Sequence, residues 1–278
     1  MKPTTRVNSL AVVVAACVTM AATVATEHVA IAAIDGADIV RQCDTEANAG
    51  EDNRSVLTVI LKDAAGNEKK NVYRRYWKKS DGKGEIVDKM ILFTEYPPDA
   101  AGTAFMRWGF VPESDKNADQ WLYLPSLKST RKVSVRDPGD SFLGSDLTYQ
   151  DISLRRLDAD KHVLLREDVE GGHTYFVVQS TPKEDNPLYS KVVAWYPKVQ
   201  DWRDCNKSRI EYFDSSGALL KTQTLQWQKV GDAWLWDEVK VENIRTGHSS
   251  IFRVTEPEIN VGLKDRLFSE RTLKRGVR

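Results

Sequence analysis

The sequence predicts a mainly β (α+β) fold: a curved antiparallel sheet, or incomplete β-barrel, of about ten or eleven strands with helices covering its concave face. Three observations carry this. Segments with a two-residue hydrophobic period recur along most of the chain and are separated by short turns, which makes successive strands antiparallel. Helical patterns are confined to the start, the middle and the end. No Gly/Ser linker, separating charge run or internal repeat divides the chain, so residues 33–278 read as one domain, and so many strands in one sheet curl rather than stay flat.

Asp35 to Ala47 opens this domain as a short helix, with Asp35 as its cap and Ile39 and Val40 on one side. The period changes to two at Val56–Leu61. A turn at Asp63–Asn67 leads into Lys69–Lys79, where Tyr73, Arg75 and Trp77 share one face and Val72, Arg74 and Tyr76 the other. Glu85–Tyr96, ended by Pro97-Pro98, and Ala104–Phe110 are further strands. The block Gln120–Ile152 reads as two short alternating strands, a turn and a helix start. Strands then follow at Arg155–Asp168, His173–Thr181, Tyr189–Tyr196 and Ser208–Phe213. A hairpin turn at Asp214–Gly217 leads to Leu219–Gln228, followed by Ala233–Ile244 and Ser250–Val254. Gly262–Phe268 is a weakly helical ending.

The first 32 residues read as a secretory signal: Lys2 and Arg6 precede a small, apolar run, Leu10–Ala25, and Ala30 and Ala32 offer a cleavage site. The competing reading is a membrane anchor, weakened by Thr19 and Thr23 within the run. Val14-Ala15-Ala16-Cys17 also fits a lipobox loosely, which keeps lipid anchoring at Cys17 as the minority expectation. Removing residues 1–32 takes away Lys2, Arg6 and Glu27, so 40 basic and 40 acidic residues become 38 and 39. A near-neutral chain lacks the basic excess of a nucleic-acid binder. Cys43 and Cys205 remain. An oxidising compartment permits a disulfide between them, and two separate buried thiols are the alternative.

The sequence offers little to catalysis. Gly139-Asp140-Ser141-Phe142-Leu143 looks like a GDSL hydrolase signature with Phe142 out of place. The Asp-x-x-His that would activate Ser141 is missing: Ala25, Ala159, Glu170 and Arg245 stand three positions before the four His. Ser141 therefore reads as a turn residue. The His residues are scattered, with no metal-ligand spacing; His162 and His173, on adjacent strands, are expected to make at most a packed polar contact. No cofactor motif is present. What remains is apolar and aromatic surface. Trp121-Leu122-Tyr123-Leu124 and Trp234-Leu235-Trp236 are apolar on both faces, which suits either a core covered on both sides or a lining for an acyl chain.

Several ordered blocks resemble the LolA-like outer-membrane lipoprotein-sorting family: Trp121–Pro125, Arg131-Lys132-Val133, Phe142–Asp151, Tyr189–Trp195, Tyr212-Phe213-Asp214 with Gly217 and Lys221, and Leu267-Phe268-Ser269 with Arg271 and Leu273. Cys43 and the Trp202/Cys205 stretch depart from the family pattern. The resemblance implies a periplasmic, non-enzymatic carrier whose hydrophobic half-barrel takes the acyl chains of a lipoprotein or lipid, with an inner-membrane export permease as a partner. Alternation and the motif together nominate Phe105, Trp121, Tyr123, Phe142, Leu147, Tyr149 and Trp195 as cavity lining. Pro125, Arg131, Gly144, Ser145, Asp146 and Asp151 are the motif's structural residues. Ser145 is a candidate cap for a helix from Asp146, and Asp146 and Asp151 are candidates to pair with Arg131 or Arg136. The alternatives are an envelope sensor or scaffold that binds a protein and, more remotely, a lipid hydrolase using Ser141.

Overall fold

The computed structural model describes Met1 and residues 34–46, 49–114, 116–133, 139–153, 155–184, 186 and 188–277. The expected export signal, Cys17 and Arg136 lie outside the described residues. Among the described residues, the fold is one sheet apart from two short α-helices and single 3-10 turns. Helix α1 (Gly36–Glu46) is followed by β1 (Asp52–Lys62), β2 (Glu68–Lys79), β3 (Ile86–Tyr96), β4 (Ala104–Phe110), β5 (Asp119–Leu124) and β6 (Ser129–Val133). The second half is β7 (Asp160–Glu170), β8 (His173–Pro182), β9 (Lys191–Pro197), β10 (Arg209–Phe213), β11 (Leu219–Val230), β12 (Ala233–Asn243) and β13 (Ser249–Ile259), closed by α2 (Glu270–Arg275). The sheet thus has 13 strands, more than the ten or eleven expected. Even the five-residue strands β6 and β10 fall within segments that the sequence marks as strands, Gln120–Ile152 and Ser208–Phe213.

The strand order is β6-β5-β4-β3-β2-β1-β13-β12-β11-β10-β9-β8-β7, and every neighbouring pair is antiparallel. Two meanders, β1–β6 and β7–β13, are joined by pairing of β1 with β13 near the two ends of the sheet-forming chain. Consecutive β6 and β7 therefore lie at opposite edges, and the connection between them has to cross the sheet. It crosses on one face, where Phe142 and Leu147 pack in a single cluster with Leu57 of β1, Leu92 of β3, Phe105 of β4, Leu225 of β11, Val239 of β12 and Phe252 of β13. A flat sheet would hold β4 and β11, six strand spacings apart, about 29 Å from each other. One hollow is lined by both Arg107 of β4 and Trp227 of β11, so the sheet curves around the connection and this face is the concave one.

Helix α1 starts as the sequence suggests: Asp38 N–H donates to Asp35 Oδ1 at 2.7 Å. Its apolar side, Ile39, Val40 and Cys43, packs on Phe176, Val178, Ala194 and Tyr196 of β8 and β9. Half-buried Ile210 touches both this cluster and the central one, so α1 covers the concave face. The C-terminal segment goes to the other side. Phe268 and Leu273 pack on Ile91, Ala104, Met106 and Trp121, the opposite face of β3–β5. Ser269 caps α2 by accepting from Thr272 N–H at 3.3 Å.

Some local expectations change. No helix begins at Asp146; a 3-10 turn, Phe142–Gly144, precedes it instead. Ser145 Oγ donates to Phe142 O at 2.6 Å and accepts from Leu147 N–H at 3.2 Å, so it stabilises a turn rather than a helix end. His162 stands opposite Ser180, and His173 opposite Glu170 at the hairpin end, so the two His do not face each other. The described residues contain no helix long and apolar enough to cross a membrane.

Candidate functional site

The concave face carries a hollow with a volume of about 280 Å³. Each strand from β4 round to β11 contributes to it, because each presents alternate side chains to this face. Its walls are mostly apolar: Leu57, Met90, Trp227, Trp236, Phe252 and Val254, with Phe142 and Ile152 from the crossing connection. Trp227 follows Leu225 onto this face by alternation, and Trp236 meets it there because a bulge at Asp237 of β12 shifts the β11–β12 register between Gln226 and Trp227.

The crossing connection is held by buried polar contacts. Asp151 Oδ2 accepts from Lys221 Nζ at 2.5 Å and from Thr148 N–H at 2.7 Å, while Asp151 Oδ1 accepts from the Tyr189 hydroxyl at 2.9 Å. Lys221 Nζ also donates to Asp146 O at 2.8 Å, and its ammonium lies over the Tyr212 ring. Asp146 Oδ2 accepts from Ser250 Oγ at 2.6 Å. Burial, with the Asp151 charge second, pushes the Tyr189 phenol upward, so it stays a donor. Gly144 has φ +75, which favours glycine, and a side chain there would also approach Leu61. The acidic motif residues therefore fix the connection to β11, β13 and the turn before β9. Arg131, on the edge strand β6 and exposed, is not the partner of either.

The nominated lining residues divide between the two faces. Phe105, Phe142, Leu147 and Tyr149 come together on the concave face, with Phe142 edge-on to Phe105 (6.2 Å) and to Tyr149 (5.8 Å). Burial raises the Tyr149 phenol. Trp121 and Tyr123 point the other way, towards Phe268 and Leu273. Trp195 is also on that outer face, with Val177 and Val193; it donates to Asp168 Oδ2 at 3.0 Å and lies under the Arg209 guanidinium. Pro125 starts a 3-10 turn between β5 and β6. Ser141 Oγ donates to Ser145 O at 2.6 Å, within the same turn. His162 bonds to Ser180 Oγ and Leu157 O. Cys43 and Cys205 form a disulfide, Cα–Cα 5.1 Å, which ties α1 to the turn Trp202–Asp204. The described residues hold no cluster of His, Cys, Asp and Glu suited to a metal ion.

Sequence reasoning passed over the polar side of the hollow: Asn53, Arg75, Asp88 and Arg107. Arg107 Nη1 donates to Asp88 Oδ1 at 2.8 Å, and Arg75 Nη1 donates to Asn53 Oδ1 at 2.5 Å. Burial lowers the Arg75 guanidinium to about 10, against a smaller upward pull from the Asp88 charge. The available signal was the alternation in β2, which grouped Arg75 with Tyr73 and Trp77.

A crystal structure of an outer membrane lipoprotein-sorting protein domain from Vibrio parahaemolyticus matches with TM-score 0.74 and 27% identity, over 86% of this chain and 98% of that one. A DUF1329 family protein from Desulfovibrio piger matches with TM-score 0.74 and 24% identity, over 86% and 97%. A LolA superfamily protein from Nitrosomonas europaea gives TM-score 0.60 and 18% identity, over 85% and 98%. No curated protein matches the chain in sequence. A family model described as "uncharacterized protein" matches residues 87–275. That is more than half of the chain, which therefore belongs to this family of uncharacterized proteins and has the fold of the LolA-like lipoprotein-sorting proteins.

Proposed function

We propose that the protein is a periplasmic carrier that binds the acyl chains of a lipoprotein or lipid in the concave hollow and passes them between envelope components. Residues 1–32 act as the export signal and 33–278 as the carrier domain. The observation that carries this reading is the hollow itself, walled by Leu57, Met90, Trp227, Trp236, Phe252 and Val254 on the inside of an unclosed sheet. Each buried methylene contributes about 0.8 kcal/mol, so one chain supplies enough binding energy to hold a cargo. The volume of about 280 Å³ lies just below the range of ligand sites, which run from roughly 300 Å³ upward. A longer chain is accommodated when the crossing connection, residues 139–153, shifts. No step of this exchange requires bond chemistry.

Native mass spectrometry of the protein purified from a bacterial periplasm, with lipid extraction in parallel, tests this. A co-purifying phospholipid or acylated species supports the carrier. A clean apo mass, with no uptake of an added fluorescent lipid, rejects it and shifts the reading to a scaffold that binds a protein partner.

A further inference from the structure

Resting on the carrier reading, we infer that the hollow selects an amphiphile with an anionic head group, carboxylate or phosphate, and that Arg107 and Arg75 hold that head while the tryptophan-rich wall takes the chain.

Three unpartnered polar atoms lie on the concave face in this region. Arg107 is 7% exposed, and its Nε–H has no acceptor. Gln120, directly opposite Arg107 in the β4–β5 register and 1% exposed, has no donor for Oε1. Ser55, opposite Arg75 in the β1–β2 register and 1% exposed, leaves its hydroxyl unpartnered. Buried polar groups are normally satisfied, and an unsatisfied group is expensive unless something else completes it. Of the three residues Arg107 lines the hollow itself, and its unpartnered Nε–H is a donor, which is what an anionic oxygen needs. A guanidinium carries several N–H donors in a planar fork, yet the described contacts of Arg107 and Arg75 are one bond to Asp88 and one to Asn53.

The charge count points the same way. The charged side chains that line the hollow are Arg75, Arg107 and Asp88, two cations against one anion. The remaining positive charge faces an apolar wall of Trp77, Trp227, Trp234 and Trp236, beside which an anion is bound more strongly than in open solvent. A purely neutral chain would leave this charge buried and uncompensated. A free anion would not use the apolar wall. An amphiphile with a charged head uses both.

The same four tryptophans report binding by fluorescence. The purified protein is titrated with palmitate, palmitoyl-lysophosphatidylglycerol, monopalmitoylglycerol and inorganic phosphate. Both anionic amphiphiles are expected to bind at least about tenfold tighter than the neutral one, the worth of one charged hydrogen bond. Arg107→Gln and Arg75→Gln are each expected to bring that ratio below about threefold. Arg107→Gln strips Asp88 of its partner, so Arg75→Gln, which leaves that ion pair in place, is the control if the first variant unfolds. Equal binding of anionic and neutral amphiphiles, or a preference that survives both substitutions, overturns the inference and leaves the carrier reading intact. Tight binding of inorganic phosphate alone also overturns it, since the site would then read a free anion. Failure of every amphiphile to bind overturns the carrier reading and this inference together.

Discussion

Lys221 Nζ lies 2.5 Å from Asp151 Oδ2, and the two side chains are 3% and 1% exposed, so the connection that crosses the concave face is anchored by a dry ion pair. Breaking such a pair on one side leaves a buried charge without a partner, which costs about 3–5 kcal/mol. Lys221→Met is expected to destabilise the protein by that amount in urea denaturation. Lys221→Met with Asp151→Asn is expected to recover much of the loss, because no lone charge remains. A single variant as stable as the parent would show that the pair does not anchor the connection.

The disulfide Cys43–Cys205 joins residues 162 positions apart and fastens α1 to the concave face beside β8 and β9. A cross-link over so long a loop restricts the unfolded chain strongly, and its removal is expected to cost about 2–4 kcal/mol. Cys43→Ser with Cys205→Ser should lower the melting temperature, and reducing agent should lower that of the parent but not of the variant. A parent insensitive to reductant up to its melting point would contradict this.

Gly109 faces the ion pair of the hollow. A Cβ at this position would lie 2.5 Å from Asp88 Oδ1 and 2.9 Å from Arg107 Nη1. Backbone space, not backbone conformation, is what glycine provides here. Gly109→Val is therefore expected to push Asp88 and Arg107 apart and to cost about 1–3 kcal/mol as an overpacked site. Thermal melting measures the loss, and an unchanged transition would show that the pair shifts aside freely.

The C-terminal segment should loosen in acid. Asp265 accepts from Lys78 Nζ at 2.7 Å and lies 3.5 Å from Lys89 Nζ; the Lys78 hydrogen bond first, then the Lys89 charge, holds its carboxyl below the usual aspartate range. A carboxylate held low in the folded state stabilises it at pH above the unfolded value, and that contribution disappears as the pH falls through the folded value. The pair is largely solvated, so its worth is below about 1 kcal/mol. Hydrogen exchange at Phe268 and Leu273, taken relative to the intrinsic amide rate at each pH, should therefore quicken modestly below the ordinary aspartate range in the parent. In Asp265→Asn it should already be quicker at neutral pH, with no further acid step.

The strands were legible because alternation is local. Tyr73, Arg75 and Trp77 were grouped on one face of β2 from sequence, and they share a face in the structure. Which face would become concave was not legible, because alternation is symmetric between the two sides. The choice is made by the pairing of β1 with β13, about 200 residues apart, and by the connection that crosses between the sheet edges. Trp121 and Trp195 illustrate the ambiguity. Each lies in a strand with apolar residues on both sides, and each turns outward, to Leu273 in one case and Val193 in the other. The partner of Asp151 was equally hidden. A cation 70 positions away on β11 looks no different in sequence from a nearer arginine.

The linear order of the sheet has a mechanical consequence. In a closed barrel the strand number and shear fix the bore, and widening it means breaking a ladder. Here β6 and β7 end the sheet as free margins, and both carry charged side chains, Arg131 and Lys132 on one and Lys161, Arg166 and Glu167 on the other, that discourage pairing with another chain. No closure constraint of that kind holds the curvature of this sheet, and the strap across its concave face is clasped by the Lys221–Asp151 contact.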